Sequence, residues 1–160
     1  MTSCVFPGSF DPVTKGHMNL ITRAAGMFDR VTVTVMHNIR KSGSIPVDDR
    51  VRLLEKACEG LPNVRIDRWD GLLADYMKKK KEKIVIRGVR NAAETDQELA
   101  SAAANRLLNK DVETLFIPCD PQMNGISSSA VREIAAFGGS IRAFVPEKLT
   151  EEISAFLSKK

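Results

Sequence analysis

The chain has 160 residues, of which 43% are hydrophobic and 28% are charged. These fractions are typical of globular domains, and they exclude intrinsically disordered and fibrous proteins. The net charge of +4 and the pI near 9.1 suit a protein that binds polyphosphates, and they also suit one that binds nucleic acid. Composition therefore predicts a globular protein and leaves its ligand open.

The three cysteines, Cys4, Cys58 and Cys119, are far apart and form no C-x-x-C pair. This usage argues against a disulfide framework and against a zinc site, and it indicates a reducing compartment. The amino terminus reaches Pro7 and Gly8 without the apolar stretch of about 7–15 residues that a signal peptide needs. No stretch approaches the length of a membrane span. We therefore expect a cytoplasmic protein with no membrane partner.

Short apolar or β-branched runs alternate with segments of helical spacing along the whole chain. The predicted strands cover residues 4–6, 31–36, 64–66, 84–86 and 115–117. The predicted helices cover residues 18–28, 48–59, 72–80, 95–108, 128–137 and 146–157. This order predicts an α/β fold: a five-stranded parallel sheet with helices on both faces and a ligand site beyond the carboxyl ends of the strands. No linker divides the chain, so we expect one domain over residues 1–160.

The first predicted strand ends in a turn-rich loop that reads F-P-G-S-F-D-P-V-T-K-G-H, from Phe6 to His17. Gly8 allows the backbone to approach a ligand closely, and Ser9 offers a hydroxyl. His17, at the predicted start of a helix, places an imidazole beside free amides and the positive end of the helix dipole. A lone histidine at helical spacing with Leu20 is often structural. The T-K-G-H sequence favours a functional role, since it matches the T/H-x-G-H signature of the nucleotidyltransferase superfamily.

Two further elements suit phosphate. Arg87-Gly88-Val89-Arg90 places two guanidinium groups at the carboxyl end of the fourth predicted strand, where an arginine fork can donate parallel hydrogen bonds. Ser127-Ser128-Ser129 follows Gly125 at the predicted start of a helix. One serine there is an ordinary N-cap, whereas three can also supply hydroxyl and backbone N–H donors. Each pattern is weak alone, and together with T-K-G-H they predict a nucleotide site.

These three elements resemble the bacterial phosphopantetheine adenylyltransferases, and the resemblance extends from Phe6-Pro7-Gly8 to Phe144-Val145-Pro146-Glu147. It implies a Rossmann-like doubly wound domain that transfers adenylate from ATP to 4′-phosphopantetheine, with Mg²⁺ as cofactor. The products would be dephospho-coenzyme A and pyrophosphate, in the penultimate step of coenzyme A biosynthesis. The resemblance further implies a homohexamer and feedback inhibition by coenzyme A.

The resemblance also implies roles for residues at matching positions. The ATP-binding positions are Ser9, Phe10, His17, Gly88, Val89, Arg90, Glu98, Met123, Asn124, Gly125, Ile126, Ser127, Ser128 and Ser129. The acceptor-binding positions are Ser9, Lys41, Leu73 and Arg87. Two places depart from the family: Gln97 stands where many members have tyrosine, and Met123-Asn124-Gly125 stands where an aromatic residue is common.

The motifs predict a direct in-line displacement, because they supply phosphate donors and cations but no obvious covalent nucleophile. The catalytic residues would be Ser9 and Lys41, which hold the attacking phosphate, His17, which donates at the α-phosphorus, and Arg90, which with the serines steadies pyrophosphate. Magnesium would keep several waters and few protein ligands, so we name no metal-binding residue. We expect Asp11 to fix its own loop through an Asx-type turn.

Two other functions stay open at this point. The first is a nucleotidyltransferase that uses another phosphorylated acceptor, such as nicotinate mononucleotide or glycerol phosphate; the R-G-V-R sequence and the short length argue against it. The second is a non-catalytic nucleic-acid-binding module, which the pI and the run Lys78–Lys81 would allow. One tryptophan, one tyrosine and no aromatic residue within the basic run argue against it, and the run is best interpreted as solvated surface.

Overall fold

The computed structural model describes residues 1–40 and 42–158. The described residues form alternating strands and helices: β1 (Ser3–Gly8), α1 (Lys15–Met27), β2 (Arg30–Met36), α2 (Val47–Ala57), β3 (Val64–Trp69), α3 (Leu73–Lys80), β4 (Ile84–Val89), α4 (Ala92–Leu108), β5 (Glu113–Pro118), α5 (Ser128–Ala136) and α6 (Thr150–Leu157). Two short 3₁₀ helices cover Pro121–Met123 and Glu147–Leu149.

The strands form one parallel sheet in the order β3-β2-β1-β4-β5. The chain winds outward from β1 through β2 to β3, and then crosses back to add β4 and β5 on the other side of β1. This reversal is the switch point of a doubly wound, Rossmann-like sheet, beyond which ligands bind. The predicted fold class is therefore confirmed, and β1 and β4 flank the switch point.

Helices cover both faces of the sheet, as the alternation of side chains along β1 shows. Cys4 and Phe6 belong to the larger core, which also contains buried residues of α1, α2, α5 and α6. Val5, between them, belongs to a smaller core on the opposite face with Tyr76 and Met77 of α3. Successive strand residues face opposite sides. Both faces of the sheet are thus buried.

Some element boundaries differ from the prediction because capping residues decide them. Helix α1 begins at Lys15 and not near Met18, since Thr14 caps it. Helix α4 begins at Ala92, three residues early, since the Asn91 side chain accepts the backbone N–H of residue 94. The predicted helix over 146–157 is a 3₁₀ turn followed by α6. These shifts are small, but the first one places His17 inside the first helical turn.

The lysine run occupies the last turn of α3 and the residue after it. The ammonium nitrogen of Lys79 lies 5.0 Å from the centre of the Trp69 ring. That of Lys80 lies 2.8 Å from a carboxylate oxygen of Asp67. Basic side chains in a last turn also interact favourably with the helix dipole. The run therefore has structural partners at the end of a surface helix.

Helix α4 is the least buried of the long helices. Its 17 residues include none that are buried, and Leu107 and Leu108 are 89% and 62% exposed. The edge strand β5, which follows it, exposes Leu115. Across residues 1–40 and 42–158, no helix is both long and apolar enough to cross a membrane.

Candidate active site

A cleft of about 310 Å³ opens beyond the carboxyl ends of β1 and β4, at the predicted edge of the sheet. The β1 loop and α1 form one wall, and the end of β4 with α4 forms the other. Residues around the start of α5 close a third side. The volume lies at the small end of the range for small-molecule sites, about 300–1,000 Å³. The cleft is thus a suitable size for part of a nucleotide.

Most of the predicted site residues lie together in this cleft. Its lining includes Ser9, Phe10, His17, Arg87, Gly88, Arg90, Glu98, Met123, Ile126, Ser127 and Ser128. Leu73 lines a second cleft of about 260 Å³. Val89, Asn124, Gly125 and Ser129 are not among the lining residues of either cleft. Lys41 lies outside the described residues, and its role stays a prediction.

The cleft also contains residues that the sequence analysis did not single out. Glu94, in the first turn of α4, lines it and pairs with Arg90, which lies four residues earlier between β4 and the Asn91 N-cap. Cys119 lines it directly after β5, and the rule that sites follow strand ends would have found this position. Gln97, noted only as a departure from the family, also lines the wall.

His17 is held in one tautomer by the turn that starts α1. The backbone N–H of Thr14 donates to His17 Nδ1 at 3.0 Å, and the His17 N–H donates to the Thr14 hydroxyl at 3.2 Å. This reciprocal capping box leaves Nδ1 unprotonated. Burial, and then the charges of Arg87 and Arg90, lower the pKa of His17 to about 4. At neutral pH the ring is therefore uncharged and carries its proton on Nε2, where it can donate to a ligand.

Phe10 fixes the imidazole from the other side. Its ring is almost fully buried, and its centre lies 4.9 Å from that of His17 and 5.6 Å from that of Phe6. A Cβ on Gly8 would lie 3.1 Å from the Phe10 ring, so any other residue at this position would force the ring to shift. Phe10 itself has a positive φ of 47°, a strained conformation for a bulky residue. Phe10, a predicted ATP-binding residue, thus lines the cleft and also holds the His17 ring in place.

Arg87 enters the cleft with its charge already compensated. Its Nε and Nη2 donate to the two carboxylate oxygens of Glu98 at 2.9 and 2.6 Å, and its Nη1 donates to the Pro7 carbonyl at 2.6 Å. The last bond joins the ends of β4 and β1 across the switch point. Glu98, predicted to bind ATP, is therefore the ionic partner of a predicted acceptor-binding residue.

Arg90 is paired in the same way with Glu94. The Glu94 carboxylate accepts from Arg90 Nε at 2.9 Å, from Nη2, and from the Arg90 backbone N–H at 3.1 Å. Nη1 donates to the Ile126 carbonyl at 3.0 Å, which ties β4 to the segment before α5. These hydrogen bonds lower the pKa of Glu94 and raise that of Arg90. One N–H on each terminal nitrogen of Arg90 remains for a phosphate.

The three serines at the start of α5 have different partners. The Ser127 side chain caps the helix by accepting a backbone N–H three residues later, at 3.1 Å. The Ser128 hydroxyl donates to the Pro12 carbonyl at 2.7 Å, and the Ser129 hydroxyl accepts from Arg132 at 3.1 Å. The backbone N–H groups of Ser128 and Ser129 belong to the first turn, where they have no helical acceptor. Ser128 lines the cleft, so its amide is the better placed of the two to donate to an anion there.

Asp11 contradicts the expectation of a local Asx turn. Its carboxylate accepts the backbone N–H groups of Ser44 and Ile45, both at 2.8 Å, more than 30 residues along the chain. The predicted turn is therefore wrong, because a buried carboxylate with two free oxygens is better satisfied by two amides of the neighbouring loop than by its own loop.

Magnesium fits this cleft only when it is coordinated mainly by substrate phosphates. Among the described residues, no three His, Cys, Asp or Glu side chains form a group that could hold a metal ion. The two carboxylates in the cleft, Glu94 and Glu98, are engaged by arginines. A cation that keeps its waters and binds mainly to substrate phosphates needs no such group. The donor set is thus compatible with a metal–nucleotide complex.

Comparisons with known proteins show which family the chain belongs to. The cytidylyltransferase-like family profile matches residues 5–134. A phosphopantetheine adenylyltransferase of Clostridium perfringens is 42% identical over 154 residues, covering 96% of this chain and 94% of that protein. One from Deinococcus radiodurans is 48% identical over 146 residues, covering 90% and 87%. A solved structure of Plasmodium falciparum nicotinic acid mononucleotide adenylyltransferase complexed with APC covers 98% of this chain and 96% of its own, with a TM-score of 0.71 at 14% identity, which supports the fold alone.

Proposed function

The chain belongs to the phosphopantetheine adenylyltransferases of the cytidylyltransferase-like family, and we propose that it transfers adenylate from ATP to 4′-phosphopantetheine. The products are dephospho-coenzyme A and pyrophosphate. One observation carries the assignment: a single cleft at the switch point joins a neutral Nε2–H donor, two arginines and the free amides at the start of α5. This set of donors suits a polyphosphate that gains charge during the reaction.

The two clefts suggest how the substrates are arranged. They share Ser9, Arg87 and Glu98, so the second cleft continues the first across a common wall. The first contains the phosphate donors and accommodates the phosphates of ATP. The second accommodates a long arm with methyl and amide groups, since its lining mixes apolar and uncharged polar side chains; it includes Met36, Leu73, Val85, Ala102, Asn105 and Thr114. The acceptor phosphate then lies at the shared wall, against the α-phosphate of ATP.

In the proposed reaction an oxygen of the acceptor phosphate forms a bond to the α-phosphorus. The bond from that phosphorus to the bridging oxygen breaks, and its electron pair leaves with pyrophosphate. His17 Nε2–H donates to the α-phosphate oxygens, and Arg90 with the amides of Ser128 and Ser129 holds the leaving group. Ser9 and Lys41 hold the attacking phosphate. Positioning and charge stabilisation account for the catalysis, without a covalent intermediate.

Magnesium supplies neutralisation of phosphate charge when it is bound with ATP. The residues that would hold the loaded nucleotide are the amides of α5 and the arginines of β4. We assign no side chain of the chain itself to the metal.

We further propose that the chain works in the cytoplasm as a homohexamer that coenzyme A inhibits. The exposed leucines of α4 and β5 support burial against other copies. Continuity of the two clefts supports the inhibition, because a molecule with both an adenylate and a pantetheine arm can fill them together. Light scattering tests the hexameric assembly. Steady-state kinetics with coenzyme A as inhibitor, varying each substrate in turn, tests the inhibition.

The function is tested by incubating the purified protein with ATP, Mg²⁺ and 4′-phosphopantetheine and measuring pyrophosphate and dephospho-coenzyme A. Parallel reactions replace ATP with CTP, or the acceptor with nicotinate mononucleotide. We expect turnover only with the first pair. Turnover that requires nicotinate mononucleotide, or an absence of dephospho-coenzyme A, would reject the proposed acceptor.

A further inference from the structure

Two charged side chains are buried beside the β1 loop but line neither cleft. Asp11 is 8% exposed and Arg50 is 4% exposed. Within the described part of the chain neither one belongs to a salt bridge, and each is instead satisfied by backbone groups. Burying a charge is costly unless it is fully hydrogen-bonded. The mechanism proposed above uses neither residue. The free-energy cost of burying these two charges therefore points to another role for them.

Both charges act on the same peptide segment. The Asp11 carboxylate accepts the N–H of Ser44 and of Ile45, at 2.8 Å each. Arg50 Nε donates to the Ile45 carbonyl at 2.9 Å. The N–H and the C=O of Ile45 are thus bound by two opposite charges, and the Ile45 side chain is fully buried. In the sequence Ile45 follows Lys41, the predicted acceptor-phosphate ligand, by four residues.

Arg50 also binds the β1 loop directly. Its Nη1 donates to the Ser9 carbonyl at 2.8 Å. Ser9 lines the wall shared by the two clefts, where we place the acceptor phosphate. One guanidinium therefore connects the loop that contains Ser9 to the segment that follows Lys41. Burial lowers the pKa of Arg50, and the charge of Asp11 opposes that shift.

The nucleotide side of the β1 loop has separate anchors. Arg132 Nη1 donates to the Asp11 carbonyl at 2.7 Å, and the Ser128 hydroxyl donates to the Pro12 carbonyl. His17 has its own bonds to Thr14. None of these contacts requires Arg50 or the Asp11 carboxylate. A change in those two groups should therefore disturb the acceptor side of the cleft more than the ATP side.

We propose that Asp11 and Arg50 are positioning residues that hold the segment after β2 against the β1 loop and so set the affinity for the acceptor phosphate. The inference rests on the proposed function, because it requires a phosphorylated acceptor. It predicts a split between the two substrates, which general destabilisation would not produce.

The principal test compares Asp11→Asn and Arg50→Gln with the wild type in steady-state assays that vary each substrate separately. Asparagine keeps one acceptor oxygen but places an NH₂ group against a backbone N–H. Loss of one such buried charge-assisted bond corresponds to about tenfold or more in the equilibrium between the held and the released segment. We expect the KM for 4′-phosphopantetheine to rise by about that factor, while the KM for ATP changes less than about twofold.

A milder variant keeps the proposal testable if Asp11→Asn or Arg50→Gln fails to fold. Gly43 is exposed, and a Cβ there would lie 3.1 Å from Arg50 Nη2 and from the Ile45 carbonyl oxygen, so Gly43→Ala should displace both groups slightly. The matched control is Gly26→Ala, at an exposed position in α1 where, beyond the chain neighbours and the adjacent helix backbone, no described atom lies within 4 Å of the added Cβ. We expect Gly43→Ala to raise only the acceptor KM and the control to change neither KM.

The outcomes separate the two proposals. Equal changes in both KM values, or a fall in kcat alone together with a lower melting temperature, would overturn the positioning role while the proposed function stands. A wild-type protein that forms no dephospho-coenzyme A would overturn both. If the wild type and all four variants turn over, and only the acceptor KM rises in the three site variants while the Gly26→Ala control changes neither KM, the positioning role is supported.

Discussion

The two walls of the main cleft present their ligand-binding groups in different ways. On the β1–α1 wall, His17 is uncharged and held by Thr14 and the Phe10 ring. On the β4–α4 wall, Arg87 and Arg90 are charged and each is paired with a carboxylate. A donor that must meet a developing charge works best when it is already oriented. Charges that bind substrate can exchange one anionic partner for another, so we expect only the second wall to rearrange when ATP enters.

The largest effect should come from removing the preorganised donor. We expect His17→Ala to lower kcat by about 10²–10³, the loss typical of one transition-state hydrogen bond. Thermal unfolding of the variant should show a folded protein, because the Thr14 hydroxyl can still cap α1. A folded variant with more than about a tenth of wild-type kcat would show that His17 is structural.

On the opposite wall, we expect that changing Arg90 has a smaller effect than changing His17, and that it weakens the binding of ATP. Arg90→Lys keeps the charge but cannot reach both Glu94 and the Ile126 carbonyl, so the KM for ATP should rise by about tenfold. The matched control is Arg106→Lys, which alters an exposed arginine of α4 that pairs with Glu113. If the control weakened ATP use as much as the site variant, the effect could not be assigned to the cleft.

Glu94→Gln tests whether Arg90 can exchange its carboxylate partner for a phosphate of ATP. Removing the carboxylate leaves Arg90 uncompensated, so ATP should bind about two- to fivefold more tightly in calorimetry at low salt. The gain should shrink as salt is added. Weaker binding of ATP would instead mean that Glu94 orients Arg90, and the two walls would then be preorganised alike.

The smallest effect concerns pH. The pKa of His17 is lowered to about 4, so the ring stays neutral above that value. Titration of His17 should therefore change kcat by less than about twofold between pH 6 and 8. The same depressed pKa contributes stability that is present above the unfolded pKa near 6.5 and is lost as the pH falls towards 4. His17→Gln should lack this part of the acid dependence in denaturant titrations. An equal dependence in both proteins would contradict the lowered pKa.

Local sequence patterns were sufficient for the fold and for the position of the cleft. Alternating strands and helices predicted the parallel sheet, and three motifs, two after strands and one at the start of a helix, predicted which loops meet. The sequence could not show that Asp11 reaches Ser44, since the two loops become neighbours only when β1 and β2 pair. The ionic partners of the arginines depend on the same kind of juxtaposition, because Glu94 and Glu98 lie on α4 and reach Arg90 and Arg87 only when that helix packs beside the end of β4.

The central claim, that His17 is a neutral Nε2–H donor fixed before ATP binds, can be observed directly in ¹⁵N-imidazole NMR spectra. The chain has two histidines, so a His37→Gln variant assigns the His17 signals. We predict an unprotonated Nδ1 and a protonated Nε2 from neutral pH down to about 5, with the Nε2–H signal shifting when a non-hydrolysable ATP analogue is added. An imidazolium at pH 7, or a neutral ring with its proton on Nδ1, would contradict the account.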